Sequence, residues 1–110
     1  MTFTTARIDP DVTVVTASGR LNMVAAPLLR DTVRRSIEEG GARIVVDLAA
    51  VDFLDSSGLG ALVACLKTAR QAGGDLRIAA PSAQVMMVLQ LSNLDRVLAR
   101  FDTAGDAYRD

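Results

Sequence analysis

The chain has 110 residues, 12 basic against 13 acidic side chains, one cysteine, and no histidine or tryptophan, and half of it is hydrophobic. A chain of that length can bury roughly 60–70% of its unfolded surface around one core without disulfide staples, so a single domain over residues 1–110 is expected. With no histidine and only Cys65, the common catalytic triads and most zinc sites are excluded, and neither catalytic residues nor metal ligands are expected. A net charge of −1 with four aromatic residues gives nucleic acid neither a field nor a stacking platform. Met1 to Asp9 shows no basic leader or apolar signal segment, and no run reaches the ~18 apolar residues of a membrane span. Together with an unpaired cysteine this predicts a cytoplasmic protein with no membrane span.

Phe3–Ile8 and Val12–Ser18 are β-prone runs split by Asp9-Pro10-Asp11, whose proline and aspartates favour a turn. An opening antiparallel hairpin is therefore expected, with Gly19 ending its second strand. From Asn22 onward, Ala25, Leu28, Leu29, Thr32, Val33 and Ile37 recur at helical spacing. They predict an amphipathic helix of about four turns with Asn22 as N-cap, Pro27 in or near the first turn and Gly40-Gly41 as the stop. Arg30, Arg34, Arg35, Glu38 and Glu39 mark its solvated face. Ile44–Leu48 is almost continuously apolar, the pattern of a central strand covered on both faces.

After Ala49–Leu54, the spacing of Leu59, Leu62, Val63, Leu66 and Ala69 predicts a second helix that Gly73-Gly74 ends. Leu76–Ala80 reads as a strand, Ser82–Leu91 as a helix behind Pro81, and Val97–Phe101 as a short last strand. Thr103–Tyr108 reads as a final helical turn or two, and the polar end from Gly105 to Asp110 is expected to fray. Strands alternating with helices require crossover connections. The predicted class is α/β, with a mixed four- to five-stranded sheet and about four α-helices.

The segment that can carry chemistry is Val51–Gly60, which places Asp55, Ser56 and Ser57 where a buried strand ends and a helix begins. Open α/β sheets bind their ligands at that edge. The first turn of a helix has free N–H groups and a partial positive charge, so a hydroxyl there can accept a phosphate without unfolding its own helix. The plainer role for Ser56 or Ser57 is N-capping. Gly58 and Gly60 lack the Gly-Lys-Ser/Thr of a P-loop and the third glycine of a dinucleotide fingerprint, and read as small residues for close helix packing. Cys65 reads as a small packing residue, Val85, Met86, Met87 and Leu89 as core, and Lys67 and Arg70 as solvated.

Val46-Asp47-Leu48 through Gly60, the helix that follows, Gly73-Gly74-Asp75-Leu76, Gly19-Arg20-Leu21-Asn22 and Ser92-Asn93-Leu94-Asp95 together resemble the STAS domain of bacterial anti-sigma factor antagonists. The likeness spans essentially the whole chain, and Asp55-Ser56-Ser57-Gly58-Leu59-Gly60 is its specific signal. It implies a non-catalytic switch in stress response and transcription regulation. The unphosphorylated domain would bind an anti-sigma factor that is also a serine kinase, and phosphorylation at Ser56, with Ser57 as a minor site, would end the complex. A serine phosphatase would restore it. The resemblance also implies a partner-binding surface of Asn22, Asp55, Ser56, Ser57, Gly58, Leu59 and Gly60. ATP and magnesium would belong to the kinase, and the chain itself would need no cofactor. Position 22 is usually aspartate in the family, so Asn22 removes a carboxylate near the acceptor. The alternative expectation is a scaffold subunit of a stress-signalling or lipid-transport assembly in which the serines only cap. Direct nucleotide binding at the same edge is a third, disfavoured by the lack of a phosphate cradle.

Overall fold

The computed structural model describes residues 1–109. Strands β1 (Thr2–Asp9) and β2 (Val12–Leu21) form the antiparallel hairpin, and β3 (Arg43–Leu54), β4 (Asp75–Ala79) and β5 (Arg100–Phe101) extend it in parallel, in the order β1-β2-β3-β4-β5. Helices α1 (Ala26–Glu38), α2 (Ser56–Gln71) and α3 (Ala83–Leu91) alternate with the strands. Among the described residues there are three α-helices rather than about four. The turn expected over Thr103–Tyr108 forms as a 3-10 turn at Ala104–Asp106, because so short a segment cannot repay α-helix nucleation. A second 3-10 turn spans Leu94–Arg96 and its C-cap Val97 is still helical in backbone, so the last strand, expected from Val97, is confined to Arg100–Phe101.

The period-2 alternation of the central strands divides the core between two faces. Val15 and Ala17 of β2 and Ile44, Val46 and Leu48 of β3 face one side, where Leu29 and Val33 of α1, Leu62 and Leu66 of α2, and Val85 and Leu89 of α3 cover them. All three helices lie on that side. Val12, Val14, Val45 and Ala79 face the other side, where Ala107 and Tyr108 close a smaller core. Strand β3 is thus central and covered on both faces, as its apolar run requires.

The tail is the main departure from expectation on this second face. It does not fray at Tyr108, whose hydroxyl donates to the Ile44 carbonyl at 2.7 Å and whose ring lies beneath Arg43 and Arg77, 4.6 and 4.3 Å from their guanidinium carbons. Burial, reinforced by the Asp75 carboxylate, holds its phenol above the ordinary range. Asp110, the end of the segment expected to fray, lies outside the described residues.

Two further differences position the functional edge. Strand β2 does not stop at Gly19. That glycine takes φ +109° at a bulge in the β2–β3 ladder, which lets pairing resume and carry on to Leu21. Strand β3 likewise runs on to Leu54, although β4 pairs with it only as far as Asp47. Beyond Asp47 the two strands form a ribbon that ends at the Leu21–Leu54 pair. Leu28, placed in the apolar stripe of α1 by its spacing, is 51% exposed, because α1 turns Leu29 and Val33 to the sheet instead.

The buried Tyr108 contact predicts how the two faces share stability. Tyr108→Ala is expected to cost about 3–5 kcal/mol by emptying the smaller core. Tyr108→Phe should cost only about 1–2 kcal/mol, the loss of one buried hydrogen bond. Urea denaturation followed by circular dichroism checks both.

Candidate functional site

The Leu21–Leu54 pair delivers two loops side by side. Strand β2 leaves into Asn22, strand β3 leaves into Asp55, and the Asp55 amide donates to the Leu21 carbonyl at 3.4 Å. Asn22 does not cap α1 itself, since the N-cap position is Ala25 and Pro27 occupies the first turn. It caps the preceding turn, its Oδ1 accepting from the Val24 and Ala25 amides at 3.1 Å each. Aspartate offers the same acceptor, so the backbone conformation of the loop does not depend on which of the two residues stands there.

Neither serine caps α2. That role belongs to Asp55, whose Oδ1 accepts from the Gly58 amide at 2.9 Å while its backbone carbonyl accepts from Leu59 at 2.9 Å. A carboxylate outcompetes a hydroxyl for this position because its hydrogen bond is charge-assisted and it complements the positive end of the helix. Ser56 becomes the first residue of α2, with its side chain exposed, and Ser57 is half-buried. No intrachain hydrogen bond to either hydroxyl is present among the described residues, so neither is committed to holding the fold.

The seven residues expected to form the partner surface do not all face outward. Ser56, Ser57 and Gly60 line one depression of about 420 Å³ together with Met23 and Arg30. Asn22 lines an adjoining one of about 520 Å³ with Arg20, Val24 and Leu28. Gly58 and Leu59 are buried. A Cβ on Gly58 would collide with the Leu21 carbonyl and with the side chain of Leu54, whereas one on Gly60 would meet nothing within 4 Å. Gly58 is therefore the residue that lets α2 start directly against the end of the ribbon.

Three contributors, Met23, Val24 and Arg30, are not singled out as site residues by sequence reasoning. Met23 and Val24 are 71% and 77% exposed and, with Leu28, form an apolar rim along the two depressions, Met23 lining that of Ser56 and Val24 and Leu28 the adjoining one. Their signal was available as three apolar residues crowded around the start of a helix, more than one buried stripe can absorb. Arg30 had been assigned only to the solvated face. Cys65 is buried on α2, and burial pushes its thiol up to about 11 against the weaker opposing pull of Arg30. Met86 packs against the main core while Met87 is 54% exposed. Lys67 is solvated, and exposed Arg70 pairs with Asp75 at 3.2 Å. Among the described residues no helix is long and apolar enough to cross a membrane.

Residues 4–107 match the STAS domain, and the chain belongs to that family. A Thermotoga maritima protein assigned as an anti-sigma factor antagonist is 31% identical over 105 residues, spanning 94% of this chain and 93% of its own. The crystal structure of an anti-sigma factor antagonist from Mycobacterium paratuberculosis superposes with a TM-score of 0.80 at 30% identity, covering 96% of this chain and 91% of that one. The Bacillus cell-fate determinant SpoIIAA in its phosphorylated form has the same fold, with a TM-score of 0.74 at 21% identity and 96% of each chain covered.

The packing at Gly58 and the burial of Cys65 each yield an expected outcome. Gly58→Ala should destabilise the domain by at least about 2 kcal/mol, since only backbone movement relieves the clash, whereas Gly60→Ala should stabilise it by about 0.5–1 kcal/mol in open space. Thermal unfolding of both variants checks the contrast. For Cys65, the native state retains a thiol proton that the unfolded chain loses at lower pH, so unfolding releases a proton and stability falls as pH rises. From pH 9 to about 11 that loss should approach ~2–3 kcal/mol. It should be absent from Cys65→Ala, so the difference between wild type and this variant in denaturation curves taken across that range should isolate it.

Proposed function

We propose that the chain is a cytoplasmic anti-sigma factor antagonist that binds an anti-sigma factor acting as a serine kinase, and that phosphorylation at Ser56 releases the partner. The observation that carries this reading is the uncommitted, exposed hydroxyl of Ser56 at the first position of a helix that Asp55 already caps. The family and the names of its relatives at about 30% identity point the same way. ATP and magnesium are supplied by the partner. Ser56 Oγ attacks the γ-phosphorus, ADP leaves, and the hydroxyl proton passes to a base of the kinase. A separate serine phosphatase returns the hydroxyl, and Ser57 is a minor acceptor.

The energetics favour release at the interface over unfolding of the domain. A phosphate adds about −1.5 to −2 charges and three acceptor oxygens, and the helix start returns only ~0.3–1 kcal/mol for a nearby anion. That is small beside a domain stability of about 5–15 kcal/mol. The apolar rim of Met23, Val24 and Leu28 is a surface that a partner must desolvate, and a dianion beside it opposes that step. Disrupting a buried interface contact costs about 2–5 kcal/mol, or a loss of affinity from about 30-fold to several thousand-fold.

With purified protein and its partner kinase in the presence of ATP, one phosphate should appear, at Ser56. Ser56→Ala should bind as wild type and accept no major phosphate, and Ser56→Asp should bind at least about 30-fold more weakly. Equal binding by all three forms in calorimetry would refute the switch and leave a scaffold role.

A further inference from the structure

Arg30 projects from α1 into the depression that Ser56, Ser57 and Gly60 line from α2. It also lines a second depression, of about 310 Å³, with Ala64, Cys65 and Thr68, and so stands on the seam between the two helices. Among the described residues it forms no ion pair. No carboxylate pairs with it: Asp31 holds Arg34 at 3.1 Å, and Asp55, which keeps its charge while accepting from the Gly58 amide at 2.9 Å, does not line the depression. The β2–α1 loop brings only Asn22, Met23, Val24 and Ala25, none of them charged. Among the described residues, the one charged side chain lining the depression of the two serine hydroxyls is therefore a guanidinium, whose planar fork suits a phosphate.

We infer that Arg30 is the internal counter-ion of the Ser56 phosphate, clasping it across the α1–α2 seam once it is formed. This rests on the reading of Ser56 as the phosphate acceptor. Arg30 is a positioning residue: it transfers no group and serves to hold the modified side chain against the domain. The phosphorylated form would then be an ordered state in which the dianion lies between α1 and α2. A phosphatase would have to draw it away from Arg30, so Arg30 would prolong the modified state.

The test installs phosphoserine at position 56 of the full chain by site-specific incorporation, without any kinase, and follows the second ionisation of the phosphate by phosphorus NMR. A guanidinium in contact favours the dianion, so the second pKa should lie at least about half a unit below that of a peptide carrying the same motif. Arg30→Gln should recover at least about half a unit of that depression, Arg30→Lys should recover less, and 1 M salt should shrink the difference. The unmodified Arg30 variants should keep the wild-type unfolding temperature, since Arg30 is exposed and unpaired. An identical second pKa in wild type and Arg30→Gln overturns the inference. A kinase that ignores Ser56 would defeat the proposed function and leave this measurement standing, so the two failures are distinguishable.

Discussion

Leu21 and Leu54 end their strands in register, and α2 can begin at that point only because residue 58 has no side chain. The constraint is steric. The Leu21 carbonyl occupies the space that a Cβ on residue 58 would need, so the first turn of α2 packs directly against the backbone of the neighbouring strand's end. The bulge at Gly19 is what brings β2 far enough along to present that carbonyl. Asn22 and Asp55 then leave the same point of the sheet, and the loops they open share one surface.

The division of labour at the start of α2 follows from this placement. A helix start needs an acceptor for its orphan amides, and a serine performing that role would have its hydroxyl tied to its own backbone. Asp55 supplies the acceptor, so a group attached to Ser56 breaks no intrachain hydrogen bond among the described residues. Asn22 performs a parallel task at the neighbouring loop without adding charge. The electrostatics beside the two serines are thereby set by the helix terminus, the Asp55 carboxylate and Arg30.

Much of this was legible in the sequence wherever the signal was local. The apolar run Ile44–Leu48, the boundaries of α2, the hairpin turn at Asp9-Pro10-Asp11 and the helix behind Pro81 all appear at or close to their expected places. What escaped depends on partners distant in the chain. Gly19 reads as a terminator because its ladder partner Val51 lies 32 positions away, and Tyr108 reads as tail because its acceptor is Ile44, 64 positions upstream. The serines read as caps because Asp55, an equally good cap, is distinguished only by the backbone geometry at the end of β3. Leu28 and Arg30 follow helical spacing faithfully, yet periodicity fixes only the angle around α1 and not which neighbour occupies it.

A domain that signals by gaining charge faces two opposed demands. Its partner must feel the phosphate strongly and its own fold must hardly feel it. The first demand is met where a partner has to desolvate apolar surface, as at Met23, Val24 and Leu28, because a charge costs most where water is removed. The second is met where the charge remains at least partly hydrated on the domain's own surface and where free amides or a guanidinium already favour an anion. On the proposed reading Ser56 meets both, since it shares one depression with Met23 of the apolar rim and with Arg30 of the α1–α2 seam. A serine one turn further along α2 would have lost the helix terminus, and one in the buried position of Gly58 could not have been reached.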